Sequence, residues 1–321
     1  MKKIFALLLV VALVASFVVA CGNGDDGDDG IVIGFSQPTM DSPFYTALVE
    51  RAEAVADELG VELIVVDAAN DVQTQNNDIA DLLVRGIDAL ILNPVDADGV
   101  APSVIAANEA GVPIITVDRP INEEVFSFVG RDNENMGRMI GEFAVELLGG
   151  QGNAEGVVWE VLGAAGCQVM MARSAGFRGP IDAEPGIEVI QSPHSDYIRS
   201  NALVATSDIL QTRQDITLVY AHNDDMALGA LQAFMDAGLE DVYIVGVDGL
   251  MEAVQSIAAG GNFKATAMND PGALGQLVIE QAMAAINGEA GIREIDAGSR
   301  VIDITNAADF VDPSKMFAEL N

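Results

Sequence analysis

The sequence predicts an α/β fold composed of two doubly wound lobes of similar size. Strand-like and helix-like segments alternate along the chain from residue 31 onward, which is the pattern of parallel sheets covered by helices on both faces. The alternation restarts after a short apolar run at Val125–Val129, so the segments divide into two halves. Half of the 321 residues are hydrophobic, and they are spread over enough segments to form a core in each half.

The segments of the first lobe are apolar runs that end at polar residues or at glycines. Pro43 follows a polar loop and favours the first turn of a helix, after which apolar residues at helical spacing continue to Gly60. In chain order we predict strand Ile31–Phe35, this helix as far as Gly60, strand Val61–Val66, helix Gln75–Arg85, strand Ala89–Leu92, helix Val100–Ala110, strand Val112–Val117 and strand Val125–Val129.

The second lobe contains the stretch YAHNDDMALGAL, residues 220–231, which indicates the end of a buried strand followed by a helix. A short carboxylate accepts the free N–H groups of a first helical turn, so Asp224 or Asp225 is predicted to cap this helix. Gly179-Pro180 is predicted to end an earlier helix. The predicted elements are helix Gly137–Leu148, strand Gly156–Leu162, helix Cys167–Phe177, strand Ile187–Gln191, helix Ser200–Leu210, strand Ile216–Ala221, the helix begun by Asp224 or Asp225, strand Val242–Val247, helix Met251–Ala259, strand Phe263–Met268 and helix Leu274–Ile286.

The first thirty residues have the pattern of an export signal followed by a linker. Two lysines precede the apolar run Ile4–Ala20, which at about 17 residues is short for a permanent membrane span. Residues 1–20 are therefore predicted to be a signal peptide. Gly22–Gly30 contains no apolar residue, so we expect residues 21–30 to form a disordered acidic tether.

The run Val-Val-Ala-Cys at residues 18–21 resembles a bacterial lipobox. The resemblance implies cleavage before Cys21 and a diacylglycerol on its sulfur, which would anchor the protein to a membrane through lipid alone. The alternative is an ordinary signal peptide with an incidental cysteine. We expect no disulfide with Cys167, which is predicted to be a small packed side chain.

The composition argues against nucleic-acid and metal partners. The chain has 49 acidic and 15 basic residues, a formal charge of −34 that would repel a polyanion. We interpret the acidity as a solvated surface. The two histidines and two cysteines have no metal-ligand spacing, so we expect no transition-metal site and no cofactor.

Several predicted strands end in polar side chains. In open parallel sheets, ligands bind outside the carboxyl ends of the strands, so these side chains are expected to form one site. Planar amides, carboxylates and a guanidinium form paired hydrogen bonds with hydroxyl groups, and aromatic rings pack against C–H faces, so a sugar fits best. Each residue also has a purely structural interpretation as a cap, a turn or part of the core. The polar set is Ser36, Gln37, Asp118, Arg119, Asn223, Asp248 and Asn269, and the aromatic set is Phe44, Tyr45 and Tyr197.

An exported enzyme is the alternative interpretation of the same residues. Asp118, Asp248 and the two histidines could supply acids or bases. The sequence contains no G-x-S-x-G elbow, P-loop or H-E-x-x-H motif, so we expect no catalytic site.

Six segments together resemble a known family. They are SPFYTAL, LLVRGIDALILNPVDADGV, GVPIITVDRP, ARSAGF, YAHNDDMALGAL and IVGVDG. Their order resembles that in periplasmic sugar-binding proteins of ABC transporters, most closely the ribose- and galactofuranose-binding group, over residues 31–305. The resemblance implies the type I periplasmic binding protein fold, with two Rossmann-like lobes joined by a three-segment hinge. It implies an N-terminal lobe of 31–131 plus 269–297 and a C-terminal lobe of 132–268 plus 298–321.

The same resemblance implies roles for individual residues. Asp118 and Arg119 match a hydroxyl clamp, and Phe44 and Tyr45 match an aromatic pair that encloses the sugar ring. The implied ligand-binding set is Gln37, Phe44, Tyr45, Asp118, Arg119, Arg173, Tyr197, Asn223, Asp248 and Asn269. Residues 37–42 form a longer loop than in ribose binders, and Tyr45 and Asn269 depart from the ribose pattern. A pentose, a hexose and a furanose form therefore all stay open.

The implied function is that of an extracytoplasmic solute-binding lipoprotein. It would be a monomer that captures a monosaccharide and delivers it to an ABC transporter permease. One alternative is a sensor component for chemotaxis or for a sensor kinase, responding to a sugar or a furanone-type signal. A sugar-responsive repressor is disfavoured, because no helix-turn-helix precedes Ile31 and an export signal is present.

Overall fold

A computed structural model describes residues 30–320 of the chain. The two lobes lie in one compact unit that begins at Val32. The predicted signal peptide, Cys21 and all of the predicted tether except Gly30 lie outside the described residues. Within residues 30–320, no helix is long and apolar enough to cross a membrane.

The elements alternate between strands and helices, as the apolar runs predict. In chain order they are β1 (Val32–Gln37), α1 (Pro43–Leu59), β2 (Glu62–Asp67), α2 (Val72–Arg85), β3 (Ala89–Leu92), α3 (Ala101–Glu109), β4 (Ile114–Val117), β5 (Ser127–Gly130), α4 (Asn133–Leu147), β6 (Glu155–Val161), α5 (Gln168–Asp182), β7 (Gly186–Gln191), α6 (Arg199–Ile209), β8 (Leu218–Ala221), α7 (Asp224–Asp236), β9 (Tyr243–Asp248), α8 (Met251–Ala258), β10 (Phe263–Met268), α9 (Pro271–Ile286), β11 (Glu294–Asp296), β12 (Val301–Asp303) and a 3₁₀ turn at Ala307–Asp309.

The strands of the described residues form two six-stranded sheets with matching topology. The first has the order β11-β5-β4-β3-β1-β2 and the second β12-β10-β9-β8-β6-β7. All neighbours are parallel except β12, which runs antiparallel to β10. Central strands such as β3 and β4 are wholly apolar or nearly so because helices cover both faces of each sheet.

Each lobe has its own core between its sheet and its helices. In the second lobe the Phe177 and Tyr220 rings stack with centroids 3.9 Å apart, and both side chains are fully buried. In the first lobe, Leu82, Leu90 and Val104 belong to a corresponding cluster. Burying one such side chain contributes about 1.5–3 kcal/mol, so the two lobes have separate sources of stability.

The prediction that Gly179-Pro180 ends a helix is wrong, because α5 continues through Pro180 to Asp182. Close packing against α4 explains the difference. A Cβ added at Gly176 would lie 1.9 Å from the carbonyl oxygen of Glu134. The two helix backbones therefore touch, and this contact holds the last turn of α5 in place although the proline lacks an N–H group.

The chain passes between the two sheets three times. It leaves the first sheet between β5 and α4, returns between β10 and α9, and leaves again between β11 and β12. Three crossings create a hinge whose segments are far apart in sequence. The lobe boundaries given above stay a prediction at the level of single residues.

Candidate functional site

A cavity lies between the carboxyl ends of the strands of both sheets. We call it the inner cavity. Its side chains surround about 340 Å³ of empty space, part of which opens to solvent. Nine of the ten residues in the predicted ligand-binding set line it, all but Gln37. The lining residues are Ser42, Phe44, Tyr45, Asp118, Arg119, Val169, Arg173, Tyr197, Asn223, Asp248 and Asn269.

Three of the lining residues have left-handed backbones, which is uncommon for residues other than glycine. The φ angles are 62° at Asp118, 62° at Tyr197 and 127° at Asp248. Such conformations cost about 1–3 kcal/mol each and tend to occur at functional sites. Asp118 directly follows β4 and Asp248 ends β9, so the sharp turn at each strand end directs a carboxylate into the inner cavity.

The first lobe contributes a cluster of Tyr45, Asp118 and Arg119. The Tyr45 hydroxyl donates to Asp118 Oδ2 at 3.3 Å and accepts from Arg119 Nη2 at 2.9 Å. Arg119 Nη1 donates to the carbonyl oxygen of Pro94 at 3.0 Å. Arg119 Nε is buried and has no hydrogen-bond partner among residues 30–320. Since a guanidinium can only donate, this N–H has no acceptor among the described residues.

The aromatic pair belongs to the first turn of α1. Phe44 and Tyr45 pack edge to face, with ring centroids 5.7 Å apart at 76°. Phe44 in turn packs edge to face against Phe317, at 6.1 Å and 89°. These contacts fix both rings in the wall of the inner cavity.

The second lobe contributes Arg173, Asp248 and, at the second crossing, Asn269. Arg173 Nη2 lies 3.5 Å from Asp248 Oδ1, and Asn269 Nδ2 donates to the same oxygen at 3.1 Å. Burial raises the pKa of Asp248 to about 7, although the Arg173 charge and the Asn269 hydrogen bond act in the opposite direction. Burial thus favours the neutral form of this carboxyl.

Arg173 is positioned by groups that lie outside the inner cavity. Its Nε donates to Asn133 Oδ1 at 2.8 Å, and its Nη1 donates to the carbonyl oxygen of His222. His222 is fully buried, and its Nε2 lies 3.1 Å from Glu160 Oε1. Burial lowers the pKa of His222, which favours its neutral form.

Asn223 both lines the inner cavity and caps α7, so the prediction that Asp224 or Asp225 is the cap is wrong. Asn223 Oδ1 accepts from the N–H of Met226 at 2.9 Å because the Asn223 backbone is extended. Asp224 is buried behind it and accepts from the N–H of Gly249. Asp225 forms an ion pair with an arginine on α6 instead.

Three residues of the site were missed by sequence reasoning. Ser42 and Val169 line the inner cavity, and Ser42 stands directly before the predicted helix start at Pro43. Arg131, at the first crossing, donates to Asn269 Oδ1 at 2.7 Å. Since arginine can only donate, this bond fixes which end of the Asn269 amide faces the cavity. The one feature of the sequence that points to Arg131 is its position as a lone basic residue just after a predicted strand.

Gln37 and Ser36 lie behind the inner cavity rather than on its surface. Both are fully buried. Gln37 Oε1 accepts from Asn93 Nδ2 at 3.0 Å, and Ser36 Oγ accepts from Gln75 Nε2 at 3.1 Å. A ligand contact by Gln37 stays a prediction.

The inner cavity opens past Tyr45, Arg119 and Tyr197 into a wider cleft between the lobes. This outer cleft holds about 1,610 Å³ of space that includes open solvent. Cys167 lies there, and its sulfur accepts from the Tyr197 hydroxyl at 3.7 Å. The aspartates that line the outer cleft are Asp41, Asp96, Asp98 and Asp196.

The arrangement is suited to holding a small polar molecule. Buried carboxylates, guanidinium groups and amides offer donors and acceptors in fixed directions, and aromatic rings offer an apolar face. In the part of the chain that the structure describes, no group of three or more His, Cys, Asp or Glu side chains could hold a metal ion.

Comparison with known proteins gives consistent matches. Residues 33–290 match a family described as periplasmic binding protein domain. The chain is 32% identical over 307 residues to the ribose import binding protein of Bacillus subtilis (strain 168), covering 92% of this chain and 97% of that protein.

Two solved structures are also similar. One is an ABC transporter solute binding protein from Mycobacterium smegmatis with bound glycerol, with 46% sequence identity and a TM-score of 0.87, covering 91% of this chain and 100% of the other. The second is a galactofuranose binding protein, with 26% identity and a TM-score of 0.81, covering 87% of this chain and 96% of the other. The fold class predicted from the sequence is confirmed, and so is the resemblance to sugar-binding proteins of this type.

Proposed function

We propose that this chain, which belongs to the family of periplasmic binding protein domains, captures a monosaccharide in the inner cavity and delivers it to an ABC-type sugar permease. Its relatives are binding proteins that work outside the cytoplasm. In this proposal the chain binds its sugar without transforming it.

The composition of the inner cavity is the observation that carries the proposal. Two carboxylates, Asp118 and Asp248, and two guanidinium groups, Arg119 and Arg173, converge on one small space. Asp118 and Arg119 follow a strand of the first sheet, and Arg173 and Asp248 come from the second lobe. A sugar presents hydroxyls that donate and accept along its edges and C–H groups on its faces, so one ring could satisfy both lobes at once.

The mechanism is a closure of the lobes around the sugar. A ligand shifts the equilibrium only by its difference in affinity for the open and closed states. Because the polar groups come from both lobes, only a closed form contacts the sugar on both sides. Closure also removes water, which strengthens each hydrogen bond. The closed form would then dock on the permease, which would pass the sugar inward with the help of a separate ATPase.

The ligands of the relatives support a polyhydroxylated compound. They include ribose for the Bacillus subtilis protein, galactofuranose for one solved structure and glycerol for the other. These compounds differ in size but share hydroxyl groups on adjacent carbons.

Lipid anchoring belongs to the same proposal. A diacylglycerol on Cys21 would keep the protein beside its permease in the membrane. Replacing Cys21 with serine should release the protein from the membrane fraction without changing its sugar affinity. Fractionation of cells followed by immunoblotting measures this release.

A thermal-shift screen of the full-length chain against pentoses, hexoses, furanose forms and short polyols tests the proposal. A compound that binds only the folded state raises the unfolding temperature by mass action. We expect a saturable rise with one or two compounds. A flat response across the panel, from protein shown to be folded and ligand-free, would contradict sugar binding.

A further inference from the structure

We infer that the Tyr45 hydroxyl takes the place of one ligand hydroxyl at the Asp118–Arg119 pair. The preferred ligand then lacks a hydroxyl on the edge that faces the first lobe. Tyr45 would thus be a specificity-determining residue that selects a deoxy sugar or a shortened polyol over the fully hydroxylated sugar. The inference rests on the proposed function, since it concerns the same cavity.

The Tyr45 hydroxyl bridges the carboxylate and the guanidinium. It donates to Asp118 Oδ2 at 3.3 Å and accepts from Arg119 Nη2 at 2.9 Å, while Asp118 Oδ2 and Arg119 Nε are 4.0 Å apart. A ligand hydroxyl would use its one proton and its lone pairs in the same way. The protein therefore already supplies a hydroxyl at this point.

The Tyr45 side chain cannot easily withdraw to make room. It is only 7% exposed, and Phe44 packs against the edge of its ring. The Arg119 guanidinium lies 5.8 Å from the ring centroid. Asp118 is held in a left-handed turn, with φ of 62°. Each partner of the hydroxyl is thus fixed by contacts of its own.

Few groups of the first lobe stay available to a ligand. Asp118 Oδ2 is occupied by Tyr45, and Arg119 Nη1 is occupied by the carbonyl oxygens of Pro94 and Val95. Asp118 Oδ1 and the buried Arg119 Nε are left without a protein hydrogen bond among the described residues. Arg119 Nη2 also has a second N–H beside the one that it donates to Tyr45.

The second lobe and the second crossing also keep open groups. Asp248 uses one oxygen, Oδ1, for both Arg173 and Asn269, so Oδ2 stays open. The amide nitrogens of Asn223 and Asn269 each make one protein hydrogen bond and have a second N–H to offer. These groups can bind the other hydroxyls of the ligand, and its hydroxyl-poor edge is expected at Tyr45, where the protein already supplies a hydroxyl.

Calorimetric titration of the full-length chain with matched pairs of sugars tests this inference. The pairs are D-ribose with 2-deoxy-D-ribose, D-galactose with D-fucose (its 6-deoxy form) and L-galactose with L-fucose, and glycerol and erythritol represent short polyols. We expect the wild type to bind at least one deoxy sugar or short polyol more tightly than the fully hydroxylated sugars. Tyr45→Phe removes the hydroxyl and should shift the affinity ratio toward the parent sugar about tenfold or more.

Tyr243→Phe is the matched control, because Tyr243 is 39% exposed and lies outside the inner cavity. It should leave every ratio unchanged. If the fully hydroxylated sugars bind best and Tyr45→Phe leaves their ratios to the deoxy forms within twofold of wild type, the inference is wrong. If Tyr45→Phe does not fold, the order of affinities of the wild type decides alone, and tighter binding of the parent sugars overturns the inference. If no compound binds either protein, the proposed function fails together with the inference.

Discussion

At the scale of single residues, Asp248 is predicted to give ligand binding a pH dependence. Burial raises its pKa from the ordinary 3.8 to about 7. The neutral form is thereby favoured in the empty folded protein. This preference stabilises the folded protein. The stabilisation is complete below the pKa that Asp248 has in the unfolded chain and is lost as the pH rises through about 7.

Sugar affinity is predicted to have the opposite pH dependence. An ionised Asp248 accepts hydrogen bonds from hydroxyls more strongly than a protonated one. Affinity should therefore fall as the pH drops below about 7, by up to about tenfold per pH unit. Calorimetric titration with the best sugar of the screen between pH 5 and 8 measures this slope.

Asp248→Asn serves as the control for the pH prediction. The amide has nearly the same shape but does not titrate, so its affinity should be lower and independent of pH in this range. An equal slope in the variant and the wild type would assign the pH dependence to another group.

Residue identities at the site could be predicted from the sequence better than their contacts. Asp118, Asn223 and Asp248 each stand at or just after a strand end, and parallel strands bring such ends together. The left-handed backbones at Asp118 and Asp248 could not be predicted, because a short polar residue is also common in ordinary turns. The choice of cap could not be made from the sequence, because Asn223 and the two following aspartates are equally good cap residues.

At the scale of elements, the packing of α4 against α5 supports the site. Arg173 lies on α5, and its guanidinium reaches Asn133 at the start of α4. Glycines allow the two backbones to touch. A Cβ at Gly137 would lie 2.2 Å from the carbonyl oxygen of Arg173, and a Cβ at Gly176 would lie 1.9 Å from that of Glu134.

Gly176→Ala is predicted to push the two helices apart. The added methyl meets backbone rather than a flexible side chain, so the free energy of unfolding should fall by about 2 kcal/mol or more. Sugar affinity should fall as well, because Arg173 moves with α5. Urea denaturation followed by circular dichroism measures the first effect, and calorimetry the second.

Gly179→Ala on the same helix is the matched control. Nothing lies within 4 Å of a Cβ at that position. Alanine favours helix over glycine by about 0.5–1 kcal/mol, so this variant should be equally stable or more stable. If both variants lose the same stability, close helix contact is not the cause.

The alternation of strands and helices could be predicted because apolar runs of fixed length define most elements. Short or atypical elements could not. Strands β11 and β12 have three residues each, too few to show a period. The passage of α5 through Pro180 depends on its contact with α4, which is a tertiary effect that overrides local preference.

At the scale of the whole molecule, Arg131 connects the three crossings. It lies at the first crossing and donates to Asn269 Oδ1 and to the carbonyl oxygen of Asp270 at the second. Its Nε donates to the carbonyl oxygen of Gly298, at 2.7 Å, at the third crossing. No local pattern predicts this link, because Arg131 and Asn269 are 138 residues apart in sequence.

Arg131→Gln is predicted to weaken sugar binding with little loss of stability in the separate cores. Without the arginine, the Asn269 amide is free to turn and the crossings lose their shared donor. Affinity should fall roughly tenfold, mainly through faster dissociation, since hydrogen bonds to charged groups are worth about 1.5–3 kcal/mol. Stopped-flow fluorescence with the best sugar of the screen gives the two rates.

Arg138→Gln is the comparison for this variant. Arg138 lies on the exposed face of α4 and pairs with Glu142, four residues further along. The Arg138→Gln variant should bind sugar with the same affinity and rates as the wild type. Equal dissociation rates in the two variants would contradict a role of Arg131 in holding the closed form.

The most direct measurement is the affinity of the wild type and of Asp118→Ala for the best sugar of the thermal-shift screen, by calorimetric titration. Asp118 sits where the first lobe meets the inner cavity, and its Oδ1 has no protein hydrogen bond among the described residues. If a sugar is held between the lobes, the variant should bind at least about 100-fold more weakly, and circular dichroism should show it folded at the titration temperature. Unchanged affinity in folded Asp118→Ala would place the sugar elsewhere and contradict the site.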